Sequence, residues 1–396
     1  MPGDKLSINV GDGVSRREVV KAIGAASVLT TSGLAGCQSQ GDGGSGSTET
    51  PGPTGTASDS RNNNVPDYQI VELIPPPTEL SFDSSDSERE LVMASYDAST
   101  NFFTPIIAGL HDAASKLDWS AQFIGPSEGP SVDKHVDMLN STVSSNPAAI
   151  ISNFVDDSAY DDVITRALDN DIPVFINTTN AYTREQMRNK FGRILPYIGQ
   201  DLFKAGYVAG LTAIDFLPDD ANSATIGTID PAHQGLQSRA EGIQLAFEHN
   251  RPDVEFTQMV DYGANPSEGV NTVQNHLTAN PDVDAFLSTD ALTWVIGKAL
   301  KQQGMDGDVV TGGFDLVTNV LDQIQNGTTH FTIGQDPYSQ GFMSTMMMYS
   351  YLDRGIPGKD YITGAEVITE ENVEFAKSRS GSWGTLREWQ RGNYNN

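Results

Sequence analysis

The chain has a single cysteine, Cys37, in 396 residues. No disulfide framework can form within it, so its stability must come from a buried core. Basic residues are also scarce: 24 Lys and Arg against 52 Asp and Glu give a net charge of −28. A surface so acidic repels nucleic acid and anionic lipid. At molar salt the Debye length falls to about 3 Å, so salt is expected to screen that charge and stabilise the fold. The six histidines, at 111, 135, 233, 249, 276 and 330, form no HExxH or close pair with zinc-ligand spacing. No Gly-x-x-x-x-Gly-Lys-Ser/Thr run is there to cradle a nucleotide, and no nucleophile–base set stands out. These absences argue against an enzyme and imply neither a cofactor nor a metal. The uncharged stretch 22–36 is too short, and too rich in Ser, Thr and Gly, to hold a helix across a bilayer. What is present is 38% hydrophobic residues, enough for two lobes.

The lone cysteine ends the tetrapeptide Leu34-Ala35-Gly36-Cys37, about twenty residues after the pair Arg16-Arg17. A charged region, a short apolar region and a small-residue processing site form the anatomy of an export signal. Ser15-Arg16-Arg17-Glu18-Val19-Val20 resembles the twin-arginine signal. Leu-Ala-Gly-Cys resembles the lipobox, whose cysteine is lipidated once the signal is cut away. Residues 1–36 are therefore expected to be a signal peptide, leaving a protein tethered at Cys37 to the outer face of the cell membrane. Removing them takes away four basic and three acidic residues, so the mature charge is near −29. Few lysines, many acidic residues and such a signal together resemble a secreted protein of a salt-loving archaeon. Residues 37–88 are expected to be a lipid-anchored tether. Its part 38–65 is almost wholly Gly, Ser, Thr, Pro and other polar residues and cannot offset the entropy of ordering.

From residue 90 the pattern becomes regular. Short β-branched runs at 90–95, 121–125, 148–152, 173–177 and 195–198 alternate with segments of helical period. A second series follows at 224–229, 255–260, 285–288, 309–313 and 330–334. Helical period is clearest over 103–117, 132–144, 156–169 and 236–249. Alternation of this kind predicts an α/β fold of two doubly wound parallel-sheet lobes. Ligands of such sheets sit beyond the carboxyl ends of the strands, so the polar residues just after strands are the candidates for a site.

Those positions carry a family resemblance. Leu91-Val92-Met93-Ala94-Ser95 leads into Asn101-Phe102-Phe103; Ile172-Pro173-Val174-Phe175-Ile176-Asn177 follows, then Tyr197-Ile198-Gly199-Gln200-Asp201. Ser238-Arg239-Ala240-Glu241-Gly242, Ser288-Thr289-Asp290, Gly313-Phe314-Asp315 and Ile333-Gly334-Gln335-Asp336-Pro337 complete the series. In order and spacing, residues 90–370 resemble the ribose-type (type I) periplasmic sugar-binding proteins of ABC importers. The series is also similar to regulators of the lac-repressor type, but no helix-turn-helix precedes the lobes.

The resemblance implies a hinge of three crossings, near Gly199–Gln200, Gln335–Pro337 and Ile356–Asp360. The N-terminal lobe would comprise 89–199 plus 336–357, and the C-terminal lobe 200–335 plus 358–396. Phe102 and Phe103 would sandwich a sugar ring. Asn177, Arg239, Asp315 and Gln335 would bond its hydroxyls, with Tyr262 near the position of a further aromatic and Thr289 or Asp290 near an amide contact. Where the family has an Asp-Arg pair after the fourth strand, this chain reads Asn177-Thr178-Thr179. The implied partners are a sugar or sugar-like polyol and a membrane permease. Two rivals share parts of the pattern, a signalling receptor for a sugar or autoinducer-like ligand and a secreted hydrolase.

Overall fold

The computed structural model describes residues 89–378. Cys37, Arg16, Arg17, the tether and the last residues of the chain lie outside them. Two separate sheets form. The first is wholly parallel, built from β1 (Glu90–Ala94), β2 (Ser120–Ile124), β3 (Ala149–Phe154), β4 (Val174–Asn180), β5 (Tyr197–Gly199) and β12 (Tyr361–Ile362), in the order β2-β1-β3-β4-β5-β12. The second contains β6 (Ser223–Thr228), β7 (Glu255–Phe256), β8 (Val260–Asp261), β9 (Ala285–Ser288), β10 (Val310–Phe314), β11 (Phe331–Gly334) and β13 (Glu366–Thr369). Its order is β7-β6-β9-β10-β11-β13, parallel except for the antiparallel β11–β13 edge, and β8 extends β7's pairing along β6. The fold is the α/β architecture of two doubly wound lobes.

In each lobe the first strand lies between the second and third, so strand order reverses beside it. In the first lobe that switch point is between β1 and β3, and in the second between β6 and β9. Helices cover the faces: α1 (Phe103–Lys116), α2 (Val132–Ser145), α3 (Asp161–Asp169) and α4 (Arg184–Phe191) belong to the first lobe. The second carries α5 (Leu202–Phe216), α6 (Gln234–Asn250), α7 (Pro266–Ala279), α8 (Thr293–Gln303) and α9 (Thr318–Gln325). A tenth, α10 (Pro337–Arg354), returns to the first lobe and packs on α1. Two helix pairs approach backbone to backbone. A Cβ on Gly341 would overlap the Ile106 carbonyl, and one on Gly242 would overlap that of Phe203. Only glycine permits the α10–α1 and α6–α5 contacts. Met348 is buried in the first lobe's core, with Met343 and Met347 against it.

Three departures from the sequence reading have identifiable physical causes. The strand expected over 255–260 is two short ones: the Thr257 N–H still bonds the Ala224 carbonyl of β6, but the segment up to Val260 has one residue more than β6 opposite it, which breaks the ladder between β7 and β8. The helix expected from 156 starts at Asp161, since the Asp156 carboxylate accepts from the backbone of Ser158 and Ala159 and holds a turn. The third crossing is not at 356–360 but between Ile362 and Glu366. Asp360 holds that segment on the first lobe, accepting from the Tyr197 N–H (3.0 Å) and pairing with Arg184 (2.6 Å). Tyr361 and Ile362 then pair with β5 before the chain crosses to β13. Among the described residues no helix is long and apolar enough to cross a membrane.

Candidate ligand cleft between the lobes

The carboxyl ends of the two sheets face each other. The N-terminus of α6 reaches the first lobe directly: the Gln234 N–H donates to the Val155 carbonyl at 3.1 Å. A Cβ on Gly235 would press on Thr179. Tyr96, two residues beyond β1, meets His233, the N-cap of α6, edge to face at 5.2 Å. The two lobes are thus closed upon each other, with both switch points inside the contact.

From the second lobe, Arg239 projects from α6 and is buried. Its Nη1 donates to the Thr289 carbonyl and its Nη2 to Gln200 Oε1, both at 2.9 Å. The guanidinium lies 3.9 Å above the Phe314 ring, while its Nε is buried without a partner. Asp315 follows β10 with φ +74°, an uncommon conformation for any residue but glycine. Its Oδ1 accepts from Gln335 Nε2 at 2.6 Å. Burial raises the Asp315 pKa, and Arg239 works against that rise.

Asp290, after β9, is committed to the protein itself. Its Oδ2 accepts from the Ile229 N–H and its Oδ1 from the Leu292 N–H, at 2.9 and 2.8 Å. The Tyr262 hydroxyl, 2.8–2.9 Å from both oxygens, donates to the same carboxylate. Burial lifts the Asp290 carboxyl to about 6. Tyr262 and Asp290 therefore tie the second switch point together. Gln335 is similarly engaged, donating to Asp315 while its carbonyl groups accept from Gln340.

From the first lobe, Phe103 lies in the core, edge-on to Phe102 at 4.9 Å and against Phe123. Phe102 is the half-buried ring of the two. Asn177 is buried within β4, its Nδ2 on Met93 Sδ at 3.4 Å. The next residue, Thr178, takes φ +60°, which a β-branched side chain adopts only under strain. Its Oγ1 is buried without a partner, and its carbonyl is held by the Tyr197 hydroxyl at 2.8 Å. Among the candidate site residues and their neighbours, left-handed backbone thus occurs at Thr178 in the first lobe and Asp315 in the second.

Sequence reading missed Tyr96, Asp97 and His233. Burial, followed by the carboxylates of Asp97, Asp230 and Asp290, pushes the Tyr96 hydroxyl well above its usual range. Those acidic groups come from both lobes, so Tyr96 stands where they meet. The available signal was position: Tyr96 and Asp97 follow β1, and His233 follows β6 by five residues, at the two switch points.

One serine–histidine pair lies elsewhere. His135 Nε2 is 3.0 Å from Ser152 Oγ, and His135 Nδ1 is 3.3 Å from the Tyr160 hydroxyl. All three side chains are sealed from solvent. The network is internally satisfied, with Ser152 donating to the Ala94 carbonyl, and it offers no path for a substrate. Among the described residues no cluster of His, Cys, Asp and Glu is arranged to hold a metal ion.

Comparison with known proteins agrees with this architecture. The xylose/arabinose-binding protein XylF of Sulfolobus acidocaldarius is 28% identical over 296 residues, 72% of either chain. The ribose import binding protein RbsB of Escherichia coli is 26% identical over 243 residues, 60% of this chain and 75% of that one. The crystal structure of a solute-binding protein from Actinobacillus succinogenes with bound D-allose superposes with a TM-score of 0.66 at 19% identity. It covers 72% of this chain and 99% of its own. The periplasmic binding protein domain matches residues 91–357, and the chain belongs to that family.

Proposed function

We propose that this chain is the extracytoplasmic solute-binding receptor of an ABC importer, and that it takes a neutral sugar or sugar-like polyol. The observation that carries the reading is the pair of opposed switch points, with Arg239 and Asp315 buried between the lobes. A hydroxyl both donates and accepts, so a carboxylate and a guanidinium on the second lobe's side of the cleft can each bond a polyhydroxy ligand. Phe102 offers an apolar face for a sugar's C–H surface. Arg239 stands beside the carboxylates of Asp315 and Asp290, a balance that favours neutral solutes over acidic ones. Ligand would bridge the lobes and shift the population to the closed form. A membrane permease would recognise that form, with transport driven by an ATPase on another chain. Phe102, Phe103, Asn177, Arg239, Tyr262, Asp290, Asp315 and Gln335 surround or support the site in this reading, as contacts or as the frame that holds them.

A thermal-shift screen of pentoses, hexoses and inositols in molar salt tests the function. A ligand at a hundred times its Kd stabilises by about 2.7 kcal/mol, a rise of several degrees at about 2–4 °C per kcal/mol. A screen in which no neutral sugar or polyol raises the melting temperature, while an acidic or amino-acid solute does, rejects the reading.

The reading includes a twin-arginine signal and a lipid anchor at Cys37. Cys37→Ser is expected to move the protein from the membrane fraction to the medium, or to leave it unprocessed. Processed Cys37→Ser protein that stays membrane-bound would count against the anchor and leave the receptor role standing.

A further inference from the structure

One buried side chain touches all three hinge crossings. Gln200 lies in the first, immediately after β5. Its Nε2 donates to the Gly334 carbonyl at the end of β11, where the second crossing begins (3.2 Å), and to the Gly364 carbonyl in the third (3.0 Å). Its Oε1 accepts from Arg239 Nη2 at 2.9 Å. A carboxamide has two N–H donors and one acceptor oxygen, and here every one of them has a partner. The crossings also run side by side, with the Thr363 N–H on the Gly199 carbonyl and Gly334 opposite Glu366 in the β11–β13 ladder. Gly364 takes φ +83° at the turn between β12 and β13, a conformation that suits glycine. Lobe rotation must be absorbed by dihedral changes in these few residues. Of the two hydrogen-bond acceptors that hold Arg239, Thr289 belongs to the second lobe and Gln200 to the hinge.

We propose that Gln200 is a positioning residue that couples the cleft to the hinge: its one amide holds the Arg239 guanidinium and fixes the three crossings against one another. Whatever displaces Arg239 then acts on the hinge through a bond that ends on the crossings themselves. This inference rests on the receptor reading for the role of Arg239. Its test uses no sugar, so it can fail while that reading survives.

Two substitutions separate the halves of the device. Gln200→Leu loses all three bonds. Gln200→Glu keeps an acceptor for Arg239 but can no longer donate to Gly334 or Gly364. Nitroxide labels on exposed Ser127→Cys and Lys298→Cys, one per lobe, report the interlobe distance distribution by pulsed electron resonance in a full-length Cys37→Ser background. The Arg239 Nε–H signal of arginine-labelled protein, identified by its loss in Arg239→Lys, reports the guanidinium. Both Gln200 variants are expected to at least double the width of the distance distribution. The Arg239 signal should move in Gln200→Leu and stay close to wild type in Gln200→Glu. A side chain that merely fills space would lower the melting temperature and change neither readout. Where Gln200→Leu fails to fold, Gln200→Glu decides: a wild-type distance distribution in that folded variant overturns the proposal.

Discussion

Asp315→Asn is expected to weaken ligand binding ten- to a hundredfold while leaving the melting temperature unchanged or higher. The two effects have one cause. Asp315 is buried, and burial disfavours its charged form enough to raise its pKa despite Arg239. The charge is thus carried at a cost to the fold, which the neutral amide removes. Asparagine keeps the oxygen that accepts from Gln335, so the local frame should survive. A charged hydrogen bond to a ligand hydroxyl contributes about 1.5–3 kcal/mol, which sets the loss of affinity. Residues that exist to bind trade stability for function in this way. Calorimetry with the sugar found by thermal shift, beside a melting curve of the free protein, checks both halves. Wild-type affinity in Asp315→Asn would remove Asp315 from the site, and a large fall in melting temperature would make it a structural residue. Arg239→Ala should lose as much affinity but also stability, because the Thr289 carbonyl and Gln200 Oε1 lose their donor and the Phe314 ring its cover.

How much of this was legible in the sequence varies with how local the cause is. The strands that end before Tyr96, Asp290, Asp315 and Gln335, and the one that carries Asn177, were readable because runs such as Leu91–Ala94 and Phe331–Gly334 bury every residue. Two hinge crossings were readable because a strand ends in Gly-Gln and a helix begins soon after. The third was not. Tyr361–Ile362 is too short to show a period, and what keeps 356–360 on the first lobe is Asp360, bonding Tyr197 some 160 residues earlier. The same limit applies to the site. Asp290 and Tyr262 look like ligand contacts in sequence, but Ile229 and Ser288 reach them through the fold and occupy their polar atoms. Tyr96 and His233 come together only where two strand ends meet across the cleft. Sequence pattern places residues at strand ends; only the tertiary contact decides whether their hydrogen bonds remain available to a ligand.

Acid should destabilise the protein through His135, and that loss should be separable from every other titration. Burial beside Ser152 and Tyr160 lowers the His135 pKa to about 3, against an ordinary value of 6.5. The hydrogen bonds fit a neutral ring: Ser152 donates to the Ala94 carbonyl and so accepts from one imidazole nitrogen, while Tyr160 donates to the other. A folded-state pKa below the unfolded one means the stability is fully present above pH 6.5 and is lost as pH falls from there toward 3. The loss is about 1.4 kcal/mol per pH unit. His233, lowered to about 3 in the cleft, adds to the same slope. Asp290 opposes it, because a carboxyl lifted to about 6 takes up its proton in the folded state first. The whole-protein curve is therefore a sum of opposing terms, and a comparison isolates one of them. His135→Gln should be less stable than the parent near pH 7.5, since its amide cannot reproduce both contacts. The gap should narrow by about 2 kcal/mol between pH 6.5 and 5, because the variant has no imidazole to protonate on unfolding. Urea melts of the two proteins across that range make the measurement. Parallel curves would mean that His135 titrates alike in both states, and that the buried Ser152–His135–Tyr160 network does not hold the ring neutral.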